Sequence, residues 1–358
     1  MPSIPNRADE LTPGWLTTAL HEQGCLEDGK VERVAIEILD PSVGVYGTIV
    51  RLHLESRSAS PGLPSTMIAK LPSSNPDAAK RLRSIGGDET EVNFYLQIGE
   101  SIGLRIPECY FSAWDKTTGR FIILLEDLSR FRYAGTGLDL TDNEMTATVK
   151  TLAASHAAWW QHPRLPDLKW LGSLAADPAL QLSAFLEAWP VVVDRLGEGV
   201  PGLGSLGRQI ELTMRQFQER LSSAPVTLLN VDHRQENLFF AGDAESPVPI
   251  FIDWQMLRFG RGPIGLAAFL ALTPQRNRME DALVRLYHSE LEGTGIRDYS
   301  FQNCLQDYCL GILRRFSVPT ATLATVDPDS PQGTAILDAL ARFGMDNLER
   351  YLTLIPEG

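Results

Sequence analysis

Apolar and polar positions follow two different rhythms along the chain. In residues 8–25, Leu11, Trp15, Leu16, Ala19 and Leu20 recur at helical spacing after the entry signal Thr12-Pro13, and Gly24 ends the run. The pattern then becomes β-rich from Val34 to Leu39 and from Thr48 to Leu54, a hairpin around a glycine-bearing turn at residues 42–47. A loop rich in Pro, Ser and Gly precedes a third strand from Thr66 to Leu71. After the break at Pro72 to Pro76, residues 77–101 read as one helix carrying Val92, Tyr95, Leu96 and Ile98. Two further strands, Glu108 to Trp114 and Arg120 to Leu125, flank the turn sequence Asp115 to Gly119.

Beyond Asp127 the rhythm is helical: Asp142 to Gln161, Ser205 to Ser222, residues 263–272, Arg278 to Leu291, Gln302 to Arg315 and Thr334 to Leu354. The exception is an apolar, turn-broken β-like stretch from Val226 to Asp253. The expected class is α+β: an antiparallel sheet with one major helix in residues 1–127, then a larger, mainly helical part in residues 128–358. No internal repeat or low-complexity segment interrupts this order.

The bulk composition narrows the function. At 358 residues, 44% hydrophobic and 22% charged, the chain reads as a globular protein long enough for two cores. A net charge of −13 disfavours nucleic acid as a partner, because phosphate backbones are held by clustered Lys and Arg. The same acidity could attract a cationic substrate. Apolar runs such as Phe121 to Leu125 fall far short of the ~20 residues that span a bilayer, so no membrane association is expected. The opening residues lack the charged start and apolar stretch of a signal peptide, which sets the cytoplasm as the expected location. Cys25, Cys109, Cys304 and Cys309 lie without paired spacing or nearby histidines and read as core thiols.

The chemistry concentrates in Leu229 to Phe240 and Pro249 to Gln255. Two apolar β runs each deliver an aspartate, Asp232 and Asp253, and Asn237 follows Asp232 by five residues. Phosphoryl transfer needs such a set: a carboxylate to orient the attacking hydroxyl and accept its proton, and oxygen ligands that fix magnesium on the nucleotide phosphates. Taken singly, Asp and Asn are common turn and capping residues. An apolar strand leading into Asp-x-x-x-x-Asn, then more β residues, then Ile-Asp-Trp, is hard to obtain from surface turns.

Asp232 to Phe240 and Phe251 to Leu270 resemble the paired motifs "HGD-x-x-x-x-N" and "IDWQ…GRGP-x-D-L-A" of the phosphotransferase superfamily that includes aminoglycoside, choline and ecdysteroid kinase-like enzymes. Met67 to Lys70, Glu91 to Tyr95, Leu124 to Leu128 and Leu152 to Trp159 are similar to that superfamily's strand lysine, "E-x-x-FY" helix, "LLLEDL" hinge and "LA-x-x-H-A-x-x-W" helix, in the same order. The resemblance implies a two-lobed protein-kinase-like fold and transfer of the ATP γ-phosphate, with Mg2+, to the hydroxyl of a small-molecule acceptor.

On that reading Lys70, paired with Glu91, contacts the α/β-phosphates, and Gly44 and Gly47 let backbone approach them. The main chain around Glu126 and Leu128 meets the adenine edge. Asp232 is the catalytic carboxylate, Asn237 and Asp253 are the metal ligands, and Arg234 is a candidate stabiliser of transferred charge. His156 resembles a helix-packing histidine. Acceptor-pocket aromatics and simple core aromatics cannot be told apart by sequence.

The chain departs from the pattern at two supports. Asn230-Val231 stands for the family's His-Gly, and Gly265 for the aspartate of "GP-x-D-L-A". Both groups brace the catalytic loop in kinase-like folds, so both braces are expected to be lost, although Asn230 could still hydrogen-bond through its amide. The alternative is a pseudokinase that binds nucleotide or a protein partner. A protein kinase is disfavoured, since no Asp-Phe-Gly or Ala-Pro-Glu segment follows.

Overall fold

A computed structural model describes residues 2–27, 29–39, 47–56, 63–135, 139–176, 182–198, 203–221, 223–273, 276–343 and 350–354. The chain divides into two compact units. The first comprises residues to Tyr133, Leu238–Asp243 and Val248–Met256; the second comprises Ala134–Asn237, Ala244–Pro247 and Leu257 onward.

The first unit is built on an antiparallel sheet of order β1-β2-β3-β5-β4, with β1 Val31–Ile38, β2 Gly47–Ser56, β3 Thr66–Pro72, β4 Cys109–Asp115 and β5 Arg120–Glu126. Strand alternation sorts its two faces. Met67, Ala69 and Leu71 of β3, with Val50 and Leu52 of β2 and Ile122 and Leu124 of β5, form a dry core. Helix α1, Pro13–Glu22, covers that face with Leu16, Ala19 and Leu20, and its N-terminus is capped by the Thr12 hydroxyl. The opposite face carries Ile68 and Lys70. A second sheet of order β6-β8-β9 joins β6 Arg132–Tyr133, β8 Leu238–Ala241 and β9 Val248–Phe251.

The single helix expected over residues 77–101 is two helices. Helix α2, Pro76–Ser84, is capped by Asn75, and α3 runs Gly87–Gln97. Gly86 separates them at φ 66°, a left-handed conformation that suits a residue without Cβ. The turn at residues 42–47 lies outside the described residues up to Gly47, which opens β2; Gly44 is among those not described.

The second unit is mainly helical. Helix α4, Asp142–Ala158, begins with a capping box between Thr141 and Glu144 and stops before the expected Gln161. Gln161 is left-handed, at φ 50°, and gives its N–H to Val226 O at 2.7 Å. Helices α5 Leu182–Leu196 and α6 Leu203–Leu221 follow, then the short pair β7 Thr227–Asn230 and β10 Leu257–Gly260, and α7 Gly262–Leu270. Helices α8 Arg276–Gly293, α9 Phe301–Thr322 and α10 Pro331–Phe343 complete it. α9 continues well past Arg315, where the sequence pattern ended it, and passes through Pro319.

α7 and α9 pack closely because Gly311 sits where a Cβ would fall 2.6 Å from the Ala267 Cβ. Beside them Asp307, fully buried, binds Arg261 at 2.7 Å and also Arg220 and the Tyr299 hydroxyl. The arginine of the "GRGP" segment is therefore spent on a buried carboxylate in the scaffold. Among the described residues no helix is long and apolar enough to cross a membrane.

Candidate active site

The first unit gathers Lys70, Glu91 and Asp253. Lys70 projects from β3 on the face away from the core, and α3 lays Glu91 against it. The Lys70 Nζ lies 2.5 Å from Glu91 Oε2 and 3.1 Å from Asp253 Oδ1, and all three side chains are at least three-quarters buried. Burial by itself would lower the Lys70 ammonium, but the charges of Asp253 and Glu91 outweigh it and hold the group protonated, above its ordinary value. Burial pushes the Glu91 carboxyl up, with Lys70 opposing and Asp253 adding to the rise.

Asp253 follows β9 by two residues and adopts φ 61°, a conformation that side chains with a Cβ rarely take. Its neighbour holds it there. The Trp254 indole stacks on Phe94 of α3, with centroids 4.1 Å apart at 12°, and the Trp254 N–H donates to Glu91 Oε1 at 3.4 Å. Gln255 Nε2 reaches the second oxygen of Asp253 at 3.3 Å. Glu91 thus organises both the lysine and the turn that carries the aspartate. Gly47 lies over the lysine stem: a Cβ there would sit 3.1 Å from Leu71 O and 3.6 Å from Lys70 Cε.

Glu126 and Leu128 end the large sheet. The Glu126 carboxylate accepts from Arg105 at 2.6 Å and Arg130 at 2.9 Å, and its N–H donates to Glu108 O at 2.8 Å. Leu128 is buried and its carbonyl accepts from Phe131 N at 2.9 Å.

The second unit gathers Asp232, Arg234 and Asn237 in the loop after β7. The Asn230 Oδ1 accepts from the Asp232 N–H at 2.9 Å, and Asn237 Nδ2 donates to Asp232 O at 2.8 Å. Backbone bonds from Arg234 N to Asp232 O, 2.8 Å, and from Asn237 N to Arg234 O, 2.9 Å, close the loop on itself. The expected loss of the brace at position 230 is corrected here: the asparagine amide, fully buried, ties down the loop through the backbone of Asp232. Because Asn237 spends Nδ2 on that bond, its Oδ1 is the atom left to face a cation. Amide and carboxylate oxygens are the hard donors a magnesium ion takes, with water and phosphate completing its shell.

Position 265 shows why no aspartate stands there. A Cβ on Gly265 would lie 2.9 Å from His156 Cε1 and 3.0 Å from His156 Nε2. The buried His156 ring fills the space, its Nδ1 2.8 Å from the Tyr287 hydroxyl. Burial drives its pKa down to about 3, so the ring is neutral. His233, also buried, is likewise lowered to about 3, by burial first, with the charge of Arg315 adding to the fall.

Arg315, on α9, escaped sequence reasoning. Its Nη1 lies 3.8 Å from Asp232 Oδ1, beside the Nε of Arg234 at 3.6 Å. The available signal was the pair Arg314-Arg315 within the apolar run Leu310 to Phe316. The bracing amide of Asn230 and the anchoring indole of Trp254 were visible only as motif neighbours.

No family profile and no curated protein matches the sequence. Solved structures do match the fold. The GDP complex of wild-type aminoglycoside 2'-phosphotransferase-IIIa aligns over 94% of this chain and 99% of its own, with TM-score 0.56 and 13% identity. Ethanolamine kinase of Plasmodium vivax aligns over 90% and 85%, with TM-score 0.54 and 10% identity. Amicoumacin kinase in complex with AMP-PNP, Ca2+ and Ami aligns over 95% of each chain, with TM-score 0.52 and 14% identity. The chain has the α+β, protein-kinase-like fold of small-molecule phosphotransferases.

Proposed function

We propose that this protein is a small-molecule kinase that transfers the γ-phosphate of ATP, with Mg2+, to the hydroxyl of a small acceptor. The observation that carries the reading is the buried Lys70–Glu91–Asp253 cluster: a protonated lysine held by two carboxylates, one of them on a left-handed turn anchored by Trp254. A purely structural ion pair has no need of the strained aspartate. The neighbours solved with GDP and with AMP-PNP and Ca2+ support a nucleotide donor and a divalent cation.

In this mechanism Lys70 holds the α/β-phosphates, and Glu91 fixes its direction. Asn237 and Asp253 would hold Mg2+, which would supply neutralisation of phosphate charge. Gly44 and Gly47 admit the phosphates, and the main chain near Glu126 and Leu128 receives the base. Asp232 orients the acceptor hydroxyl and takes its proton, and Arg234 stabilises charge on the transferred group. Asn230 and Asn237 keep the Asp232 backbone fixed, so the carboxylate is positioned before substrate arrives.

The test is ATP consumption against a library of hydroxyl compounds, with Asp232→Ala as the control. The variant should lose activity by about 10²–10⁴-fold, the usual worth of a positioned base, while nucleotide affinity stays within a factor of two or so. Intact nucleotide binding without turnover in the unaltered protein would replace the kinase by a pseudokinase.

A further inference from the structure

Two guanidiniums stand beside the Asp232 carboxylate. Arg234 Nε and Arg315 Nη1 approach the same carboxylate oxygen at 3.6 and 3.8 Å, too far for good hydrogen bonds. The Nε of each guanidinium is shielded from solvent and has no hydrogen-bond partner among the described residues. Arg315 spends one donor on Ala268 O at 2.9 Å. Burial lowers the Arg315 guanidinium from its ordinary value, with Asp232 opposing and the charges of Arg314 and Arg234 adding to the fall. Helix α9 is otherwise apolar here, since Leu310, Ile312, Leu313 and Phe316 are all buried.

Shielded guanidinium donors without partners are costly unless a ligand completes them, and their planar fork matches carboxylate and phosphate oxygens. We propose that Arg315, flanked by Arg234, forms an anion cradle for the acceptor, which therefore carries a carboxylate or phosphate a few bonds from the hydroxyl that is phosphorylated, while Arg234 keeps its place at the transferred group. The inference rests on the kinase reading above and narrows its acceptor to anionic alcohols. The ammonium of an amino alcohol would instead meet the guanidiniums of Arg234 and Arg315. In the reaction the hydroxyl oxygen bonds the γ-phosphorus as the bond to the β-phosphate oxygen breaks, ADP departs, and the hydroxyl proton passes to Asp232. The acceptor's own anion takes no part in bond making and stays on Arg315.

A matched series tests this: 3-hydroxypropanoate, 1,3-propanediol and 3-amino-1-propanol, with glycerol 3-phosphate and glycerol as a second pair, each with ATP and Mg2+. An anionic member should show a KM at least tenfold below its neutral and cationic counterparts. Arg315→Met should raise that KM at least tenfold more than it changes the KM of the neutral compounds, with Arg315→Lys restoring part of the loss. Equal or better use of the neutral or amino alcohol overturns the proposal. So does an Arg315→Met effect that lowers kcat alike for every acceptor at constant KM, because the guanidinium then serves the transferred phosphoryl group.

Calorimetric titration of 3-hydroxypropanoate and glycerol 3-phosphate into the full chain separates this inference from the kinase reading. Binding that Arg315→Met abolishes supports the cradle even if no acceptor is phosphorylated, whereas no binding of either anion to the unaltered protein refutes it. Arg315→Gln repeats the titration if the methionine variant fails to fold.

Discussion

Replacing Lys70 by methionine keeps most of the side-chain volume and removes one buried charge. Glu91 and Asp253 then face each other across the space that the ammonium held, at 2.5 and 3.1 Å from each. Two carboxylates about 5 Å apart repel by roughly 3 kcal/mol at an effective dielectric of 20, and breaking one side of a buried pair typically costs about 3–5 kcal/mol. The variant should lose stability in that range at pH 8, measured by urea unfolding with circular dichroism and tryptophan fluorescence.

The loss should also depend on pH. Burial already raises the Glu91 carboxyl, and without Lys70 nothing opposes the rise. A group whose folded value lies above its unfolded one contributes stability that is fully present below the unfolded value and is lost as pH rises through the folded one. Lys70 itself stays protonated in both states below about pH 10 and adds no slope in this window. Acidification from pH 8 to pH 5 should therefore narrow the gap between variant and parent by about 2 kcal/mol. The double variant Lys70→Met, Glu91→Gln should be more stable than the sum of the singles predicts, by about 2 kcal/mol. A gap independent of pH, or singles that add within about 0.5 kcal/mol, would refute the coupling.

Gly265→Ala should destabilise by about 1–3 kcal/mol despite the usual helical preference for alanine, because the new methyl meets the fixed His156 ring; a melting curve in the His156→Ala background should show the penalty relieved. Asn230→Leu removes the acceptor for the Asp232 N–H and should lower kcat by about tenfold, with Asn230→Asp retaining most of it, as read in steady-state kinetics. His156 and His233 are neutral in the fold with values near 3, so stability present above pH 6.5 is lost as pH falls toward 3. Each should cost about 2 kcal/mol between pH 6.5 and 5, and His156→Gln should remove about half of that slope in denaturant titrations.

Sequence carried the large pieces of this fold because strand alternation and helical spacing are set by burial. Met67, Ala69 and Leu71 alternate with Ile68 and Lys70, and the structure buries the first set in the sheet core. The helix break at Gly86 was harder to place, since Ala78, Leu82 and Val92 keep a helical rhythm across it and only the Gly-Gly pair marks the turn. The four-residue strand β10 is too short for any period to register. At the candidate site the motif spacing marked Lys70, Glu91 and Asp253, which the fold brings into contact. What it could not convey was replacement in space: an asparagine acting where a histidine was expected, a histidine filling the room of an absent carboxylate, and Arg315 arriving from a helix more than eighty residues away along the chain.

The lysine's second carboxylate belongs to a segment that the first unit borrows from late in the chain, residues Val248–Met256. A fragment ending at Tyr133 would retain Lys70 and Glu91, yet it would lack Asp253 and leave Phe94 without its stacked indole. Dissecting this protein by simple truncation would therefore yield a piece with a bared aromatic surface and an incomplete charge triad, so a stand-alone version of that half needs the later segment grafted back by a linker.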